Sequence, residues 1–261
     1  MLEVKEHPPG SFSWADLATS DPEGAKAFYT GLFGWNATDY PAGEGMTYTM
    51  FDKNGLNSAA TYKMSDEMKG QGIPPHWSNY VTVVSADESQ KRVEELGGKI
   101  DMAAFDVMDV GRMTVMQDPQ GAHLALWEPK GHIGSQIANE PGSMCWNELA
   151  TSDMQAAAAF YSELFGWQAS KMPPMNGIEY TMLIDGETPK AGMMLTPEEW
   201  GGAPPMWNVY FLVEDINAAM QKVEGLGGKG VTPVIEVEIG KFAFVRDPQH
   251  AYFGIFEAKQ G

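Results

Sequence analysis

The chain carries the same passage twice, and this repetition limits its possible folds more than any other feature. "PGSFSWADLATSDPEGAKAFYTGLFGW" fills residues 9–35 and "PGSMCWNELATSDMQAAAAFYSELFGW" fills residues 141–167, with 17 of the 27 aligned positions identical. The remainder pairs in the same order: Tyr48 with Tyr180, "PPHWSNYVTV" with "PPMWNVYFLV", and "LGGK" at Leu96 with "LGGK" at Leu226. By "GRMTVMQDPQGAHLALWE" and "GKFAFVRDPQHAYFGIFE" the offset has slipped from 132 to 129 residues. A period this long describes a whole domain and not a solenoid unit.

With 261 residues, 43% of them hydrophobic, the chain can bury two ordinary cores. The expected division is residues 1–129, a Gly- and Pro-containing linker over 130–142, and residues 143–261. No apolar run approaches the roughly 18 to 20 residues that span a bilayer, and "MLEVKEHPPG" has no signal core. A cytoplasmic protein without a membrane partner is expected, as a monomer or weak homodimer. Cys145 stands alone, which fits a reducing compartment. Thirty-five acidic against 17 basic side chains, a formal charge of −18, exclude the basic face that a nucleic-acid partner requires.

Each copy reads as two βαβββ blocks, giving an α+β protein of four modules. In the first, "FSWADLA" alternates as a strand. "SDPE" then starts a helix, capped either by Ser20 with Glu23 or by Asp21 with Pro22 behind it. Ala25, Phe28, Tyr29, Leu32 and Phe33 form one helical stripe, repeated by Ala157, Phe160, Tyr161, Leu164 and Phe165, and Gly34 or Gly166 ends the helix. Three short strands follow, separated by turn residues. The second block opens at Trp77, continues into a helix closed by Gly97 and Gly98, and ends with "AHLALWE".

"DLATSDPEGAKAFYTGLFGW" entering such a block, an "LGGK" helix end and "DPQGAHLALWE" as a last strand, each present twice, resemble the vicinal oxygen chelate superfamily of glyoxalase, bleomycin-resistance and extradiol-dioxygenase proteins. The resemblance implies half-barrels built from paired modules, two glyoxalase-like units in tandem. It also implies a divalent ion held between modules by His, Gln or carboxylate ligands from four strands. Those ligand positions fall on Trp14 and Trp146, around Ala59–Ala60 and Gly192–Met193, near Ser78 and Asn208, and on Ala125 and Gly254. Trp, Ala and Gly supply no donor to such an ion, so no metal and no cofactor are expected.

Strand alternation places Phe12, Trp14 and Asp16 on the inner face of the first copy, and Met144, Trp146 and Glu148 on that of the second. The last strands contribute His123, Ala125 and Trp127, or Tyr252, Gly254 and Phe256. Small residues beside aromatics describe a pocket, with Trp14, Trp146, Trp127, Phe256, Tyr252, Tyr80 and Tyr210 as candidate ligand contacts. Asp16, Glu148 and His123 are the candidate proton-transfer groups. Trp77 and Trp207 read more readily as packing, and Glu128 and Glu257 as outward-facing strand ends.

Three functions fit this pattern: binding of a hydrophobic or planar metabolite or drug, a metal-independent lyase or isomerase, and a metal-dependent glyoxalase or dioxygenase. Each half can close on itself, setting Asp16 with His123 and Trp127 and Glu148 with Tyr252 and Phe256, or modules of opposite halves can pair, an exchange favoured by the burial it provides. It would set Asp16 with Tyr252 and Phe256, and Glu148 with His123 and Trp127.

Overall fold

The computed structural model describes residues 2–43, 45–174, 177–197 and 201–259; the outermost residues of the two expected domains, Met1, Gln260 and Gly261, lie outside this set. The repeat becomes four βαβββ modules. The first has strands Phe12–Thr19, Asn36–Pro41, Thr47–Lys53 and Leu56–Lys63 and helix Pro22–Phe33; the second has strands His76–Thr82, Lys99–Val107, Gly111–Gln117 and His123–Pro129 and helix Ala86–Glu95. The third has strands Met144–Thr151, Gln168–Lys171, Tyr180–Asp185 and Thr188–Leu195 and helix Met154–Phe165. The fourth has strands Met206–Leu212, Lys229–Gly230, Gly240–Arg246 and Tyr252–Ala258 and helix Ile216–Gly225, with the short strand Ile235–Val237 added.

The local chemistry selects each helix start. Asp21 is the N-cap of the first helix, accepting from the Gly24 amide at 3.1 Å with Pro22 at the first helical position, and Gly34 closes the helix in the left-handed region. Asp153 caps the third helix in the same way. Glu128 and Glu257 are not idle strand ends. Glu128 accepts from the Ala86 amide at 3.0 Å and Glu257 from the Ile216 amide at 2.8 Å, each placing a carboxylate at a helix N-terminus.

All strands of the first two modules lie in one eight-stranded sheet, and those of the last two in one nine-stranded sheet. Within each sheet the first strands of the two modules run antiparallel side by side, with Asp16 opposite Ser78 and Glu148 opposite Asn208. The expected exchange of modules is therefore corrected for the sheets: each half closes on itself.

Exchange does occur on the other face. One core joins the first and fourth modules through Ala25, Phe28, Tyr29, Phe33, Val223, Phe253 and their neighbours, and a second joins the second and third modules through Val93, Leu124, Leu126, Ala157, Phe160 and Tyr161. Each helix covers its own sheet incompletely, so its apolar stripe is finished by the opposite half. The "LGGK" glycines permit this approach. A Cβ on Gly98 would lie 3.2 Å from the Phe160 ring, and one on Gly228 would lie 2.8 Å from Phe28. Trp77 and Trp207 belong to these cores, donating to the Tyr29 hydroxyl at 3.0 Å and the Tyr161 hydroxyl at 2.8 Å.

Alternation fails in the strand that opens each copy. The register shifts between Phe12 and Trp14 and between Met144 and Trp146. A bulge of one residue reverses the faces beyond it, so Phe12 stacks on Trp167 and Trp207 in the second core and Met144 packs against the first. The inward placement expected for Phe12 and Met144 is corrected accordingly.

Candidate functional site

The helix-free face of the first half forms an aromatic cup around Asp16. Trp14, Ala60, Tyr80, Ala125 and Trp127 are its buried floor, with Tyr48, Met50, Met113 and Val115 half-buried against them. The register explains the grouping: Trp14 is opposite Tyr80, Asp16 is opposite Ala60, and Tyr80 is opposite Ala125. These are the strands on which the resemblance places metal ligands.

Asp16 is 2% exposed. Its Oδ2 accepts two phenolic hydroxyls, Tyr80 at 2.8 Å and Tyr48 at 2.9 Å, and Tyr48 in turn accepts from Trp14 Nε1 at 3.0 Å. Its Oδ1 is buried without a hydrogen-bond partner. Burial pushes the Asp16 pKa up to about 6, while Tyr80, Tyr48 and the neighbouring Ser78 hold it below what burial alone would give. The carboxylate in turn drives the Tyr48 and Tyr80 hydroxyls well above their ordinary range, after the larger effect of their own burial.

One end of this cup is closed by the linker. The His132 ring stands edge-on to Trp14 with centroids 4.6 Å apart, and Trp127 Nε1 donates to the His132 carbonyl at 2.8 Å. Burial lowers the His132 pKa to about 4, leaving a neutral ring above that value.

The second half repeats the plan with altered residues. Tyr210 donates to Glu148 Oε1 at 2.8 Å, and Trp146 Nε1 donates to Tyr180 at 3.0 Å. Burial raises the Glu148 pKa, countered by Tyr210 and Tyr180. Phe242 and Phe244 stand where the first cup has Met113 and Val115, and Tyr210 packs on both, with centroids 6.1 and 5.3 Å away. Phe256 pairs across from Phe242 on this wall. Asn208, opposite Glu148, is 6% exposed, and its Nδ2 is buried without a partner.

The small residues of the second cup do not leave empty room. A Cβ on Gly254 would fall 2.2 Å from the Tyr210 ring, and one on Gly192 would fall on the Tyr180 hydroxyl. The tyrosines occupy that space.

Of the site residues read from sequence, Asp16, Trp14, Trp127 and Tyr80 meet in the first cup and Glu148, Trp146, Tyr210 and Phe256 in the second. Two do not join them. His123 lies on the exposed start of its strand, its side chain 64% exposed, with Nδ1 paired to Asp101 at 2.8 Å; it contacts neither carboxylate. Tyr252 is 48% exposed at the corresponding strand start. Both sit at the first residue of a seven-residue strand, ahead of Ala125 and Gly254, where pairing with the strands His76–Thr82 and Met206–Leu212 begins. Sequence reasoning missed Tyr48 and Tyr180 as site residues, although their recurrence in "TYTM" and "EYTM" was the available signal.

Each cup gathers one carboxylate and two phenols, and the first also has the His132 imidazole at its closed end. Among the described residues no group of three or more His, Cys, Asp or Glu converges as a metal site would require. An open cleft of about 220 Å³ runs between the halves beside Trp146, with Phe12, Cys145 and Lys190 on its wall. The Cys145 thiol is pushed up to about 12 by burial, which leaves it inert as a nucleophile. No helix of the described residues is long and apolar enough to cross a membrane.

A family model described as the Glyoxalase/Bleomycin resistance protein/Dioxygenase superfamily matches residues 11–126 and again residues 134–255. The chain is 38% identical over 259 residues to a protein named putative glyoxylase CFP32 from Mycobacterium tuberculosis (strain CDC 1551 / Oshkosh), with 98% of each chain covered. It is 33% identical over 263 residues to the anthracycline biosynthesis protein DnrV of Streptomyces peucetius, covering 97% of this chain and 95% of that one. Among solved structures, the Mn(II)-bound glyoxalase from Novosphingobium aromaticivorans matches with a TM-score of 0.64 at 14% identity, over 95% of this chain and 82% of the other. The 2,3-dioxygenase LapB from Pseudomonas sp. KL28 matches with a TM-score of 0.66 at 12% identity, over 100% of this chain and 94% of the other. At such identities the structural likeness speaks for the fold alone.

Proposed function

This chain belongs to the Glyoxalase/Bleomycin resistance protein/Dioxygenase superfamily, and within it we propose a protein that binds a planar, hydrophobic metabolite or drug without using a metal ion. The observation that carries this reading is the aromatic floor around Asp16, where a family metal site would need imidazole or carboxylate ligands from several strands. Trp14, Ala60 and Ala125 occupy those places, and one carboxylate cannot hold a divalent ion against water. Flat aromatic walls with a single polar anchor suit a fused-ring molecule. The name of the relative from anthracycline biosynthesis supports the same ligand class.

Titration of a fused-ring probe such as 1-naphthol, followed by tryptophan fluorescence with and without chelator, tests the proposal. Saturable binding that is unchanged by the chelator is expected. Loss of binding on chelation, or a stoichiometric transition metal in the purified protein, would overturn it.

A second reading follows from the Asp16 pKa of about 6. A carboxylate so placed can take a proton near neutral pH, as a metal-independent lyase or isomerase requires. Turnover of a bound ligand that persists under chelator and is lost in Asp16→Asn would favour it.

A further inference from the structure

We propose that the cleft between the halves beside Trp146 is a binding site separate from the cups, taking a small aromatic carboxylate with the Lys190 ammonium as its counter-charge. The inference does not depend on what the cups bind.

The two copies treat this part of the fold differently. In the first, the linker lies over the corresponding strands: the Ser135 amide donates to the Ser13 carbonyl and the Gln136 amide to the Asn57 carbonyl, both at 2.7 Å. The Asn57 amide returns a bond to Gln136 Oε1 at 3.0 Å. A Cβ on Gly134 would fall 2.3 Å from the Ser13 carbonyl oxygen, so the linker backbone seats directly on the strand. In the second copy Cys145 stands for Ser13 and Pro189 for Asn57. Proline has no amide to anchor a covering segment. Among the described residues the space there is an open cleft of about 220 Å³.

That cleft holds a cation. Ser58 in the first copy is fully buried and donates to the Gly142 carbonyl at 2.9 Å; in its place the second copy has Lys190, whose side chain is only 9% exposed. Lys190 Nζ donates to Ser11 Oγ at 3.0 Å and pairs with Asp185 at 3.6 Å, a carboxylate that is itself 55% exposed. An ammonium has three N–H donors, so these two partners leave one for a ligand. No Asp or Glu among the described residues lines the cleft, although the chain carries 35 acidic against 17 basic side chains. A buried cation whose counter-ion is distant and half in solvent favours an anion that enters its surroundings. Trp146, Phe12 and Met144 give the cleft apolar and largely aromatic walls, which suit a ring bearing the carboxylate.

Benzoate and its uncharged match, benzyl alcohol, test the proposal in the full-length protein, read by the NMR shift of the Trp146 indole N–H, which Trp146→Phe assigns. Benzoate should give a saturable shift with an affinity on the order of millimolar, and benzyl alcohol should bind about tenfold more weakly or less. Lys190→Met should weaken benzoate by about tenfold or more, while Lys190→Arg, which keeps the charge, should retain most of the affinity. Lys190→Ser, the residue found at the first copy's position, is a second charge-removing variant should methionine impair folding. Absence of a saturable benzoate shift at Trp146, equal affinity for the two probes, or benzoate binding unchanged in both charge-removing variants would overturn the anion site. Failure of 1-naphthol to bind would instead overturn the reading of the cups and leave this site standing.

Discussion

Tyr29 and Asp247, 218 residues apart, meet in a buried hydrogen bond of 3.0 Å, and Tyr161 makes the same bond to Asp118 at 2.9 Å in the reverse direction between the halves. Each tyrosine also accepts an indole N–H, from Trp77 or Trp207, and each aspartate accepts the amides of its own "DPQ" turn, at Gln249 and Ala251 or at Gln120 and Ala122. The halves are thus joined by two buried relays of tryptophan, tyrosine and aspartate.

Tyr29→Phe and Tyr161→Phe should each cost roughly 1 to 3 kcal/mol, because the indole and the carboxylate lose their shared partner at once. For a chain of this size that corresponds to a Tm loss of roughly 2 to 12 °C. The double variant should lose close to the sum, the two relays sharing no residue. Calorimetry checks both figures. Probe binding in the cups should be unchanged, since the relays lie on the other face of the sheets.

Asp16 sets a pH dependence whose sign follows from its folded pKa of about 6 against about 4 in the unfolded chain. Between those values the folded state holds more protons, so the contribution of Asp16 to stability declines as pH rises from about 4 to about 6, then stays flat. The cost of the ionised form reaches up to about 3 kcal/mol. Asp16→Asn should consequently match or exceed the wild type in urea denaturation at pH 7.5, with the difference vanishing near pH 4. A marked destabilisation at pH 7.5 would assign Asp16 a structural role.

Binding at the same residue moves the other way. A ligand that donates to the Asp16 carboxylate needs its ionised form, so affinity for 1-naphthol should hold above about pH 6 and fall as pH drops below it. The Asp16→Asn variant should show no such decline. Fluorescence titration at pH 5, 6 and 7.5 separates the two profiles.

Gly254→Ala and Ala125→Gly, exchanged between copies, should differ in cost. The added methyl at 254 meets the Tyr210 ring and forces it from Glu148, which overpacking data place at roughly 1 to 3 kcal/mol. Removing the methyl at 125 should cost about 1 kcal/mol. Denaturant midpoints of the two variants give the comparison.

Glu128→Ala and Glu257→Ala should each cost about 1 kcal/mol, by leaving a helix N-terminal amide without its carboxylate. Glutamine at either position should recover most of the loss, since the acceptor oxygen remains. Urea midpoints resolve this order.

The duplication, the four modules and the choice of face for Trp14, Asp16, Trp146 and Glu148 were legible in the sequence, because periodicity and capping are local and act within a few residues. The helix stripe of Ala25, Phe28, Tyr29, Leu32 and Phe33 is buried as its spacing requires. The tertiary structure decided what depends on distant neighbours. A one-residue bulge turned Phe12 and Met144 to the helix side, an event that no alternation pattern encodes. A strand start paired on one side only carried His123 and Tyr252 to the exposed rim. Module pairing was open to sequence reasoning in both forms, and the molecule uses both: each sheet is closed within a half by backbone hydrogen bonds, while each core is completed between halves by side chains. The chemistry of the cups was decided at this level too, since it rests on the burial of Asp16 and on the convergence of Tyr48 and Tyr80 on one of its oxygens. A residue's type is written in the chain, but its desolvation and its unmet bonds exist only once the strands that surround it have been placed.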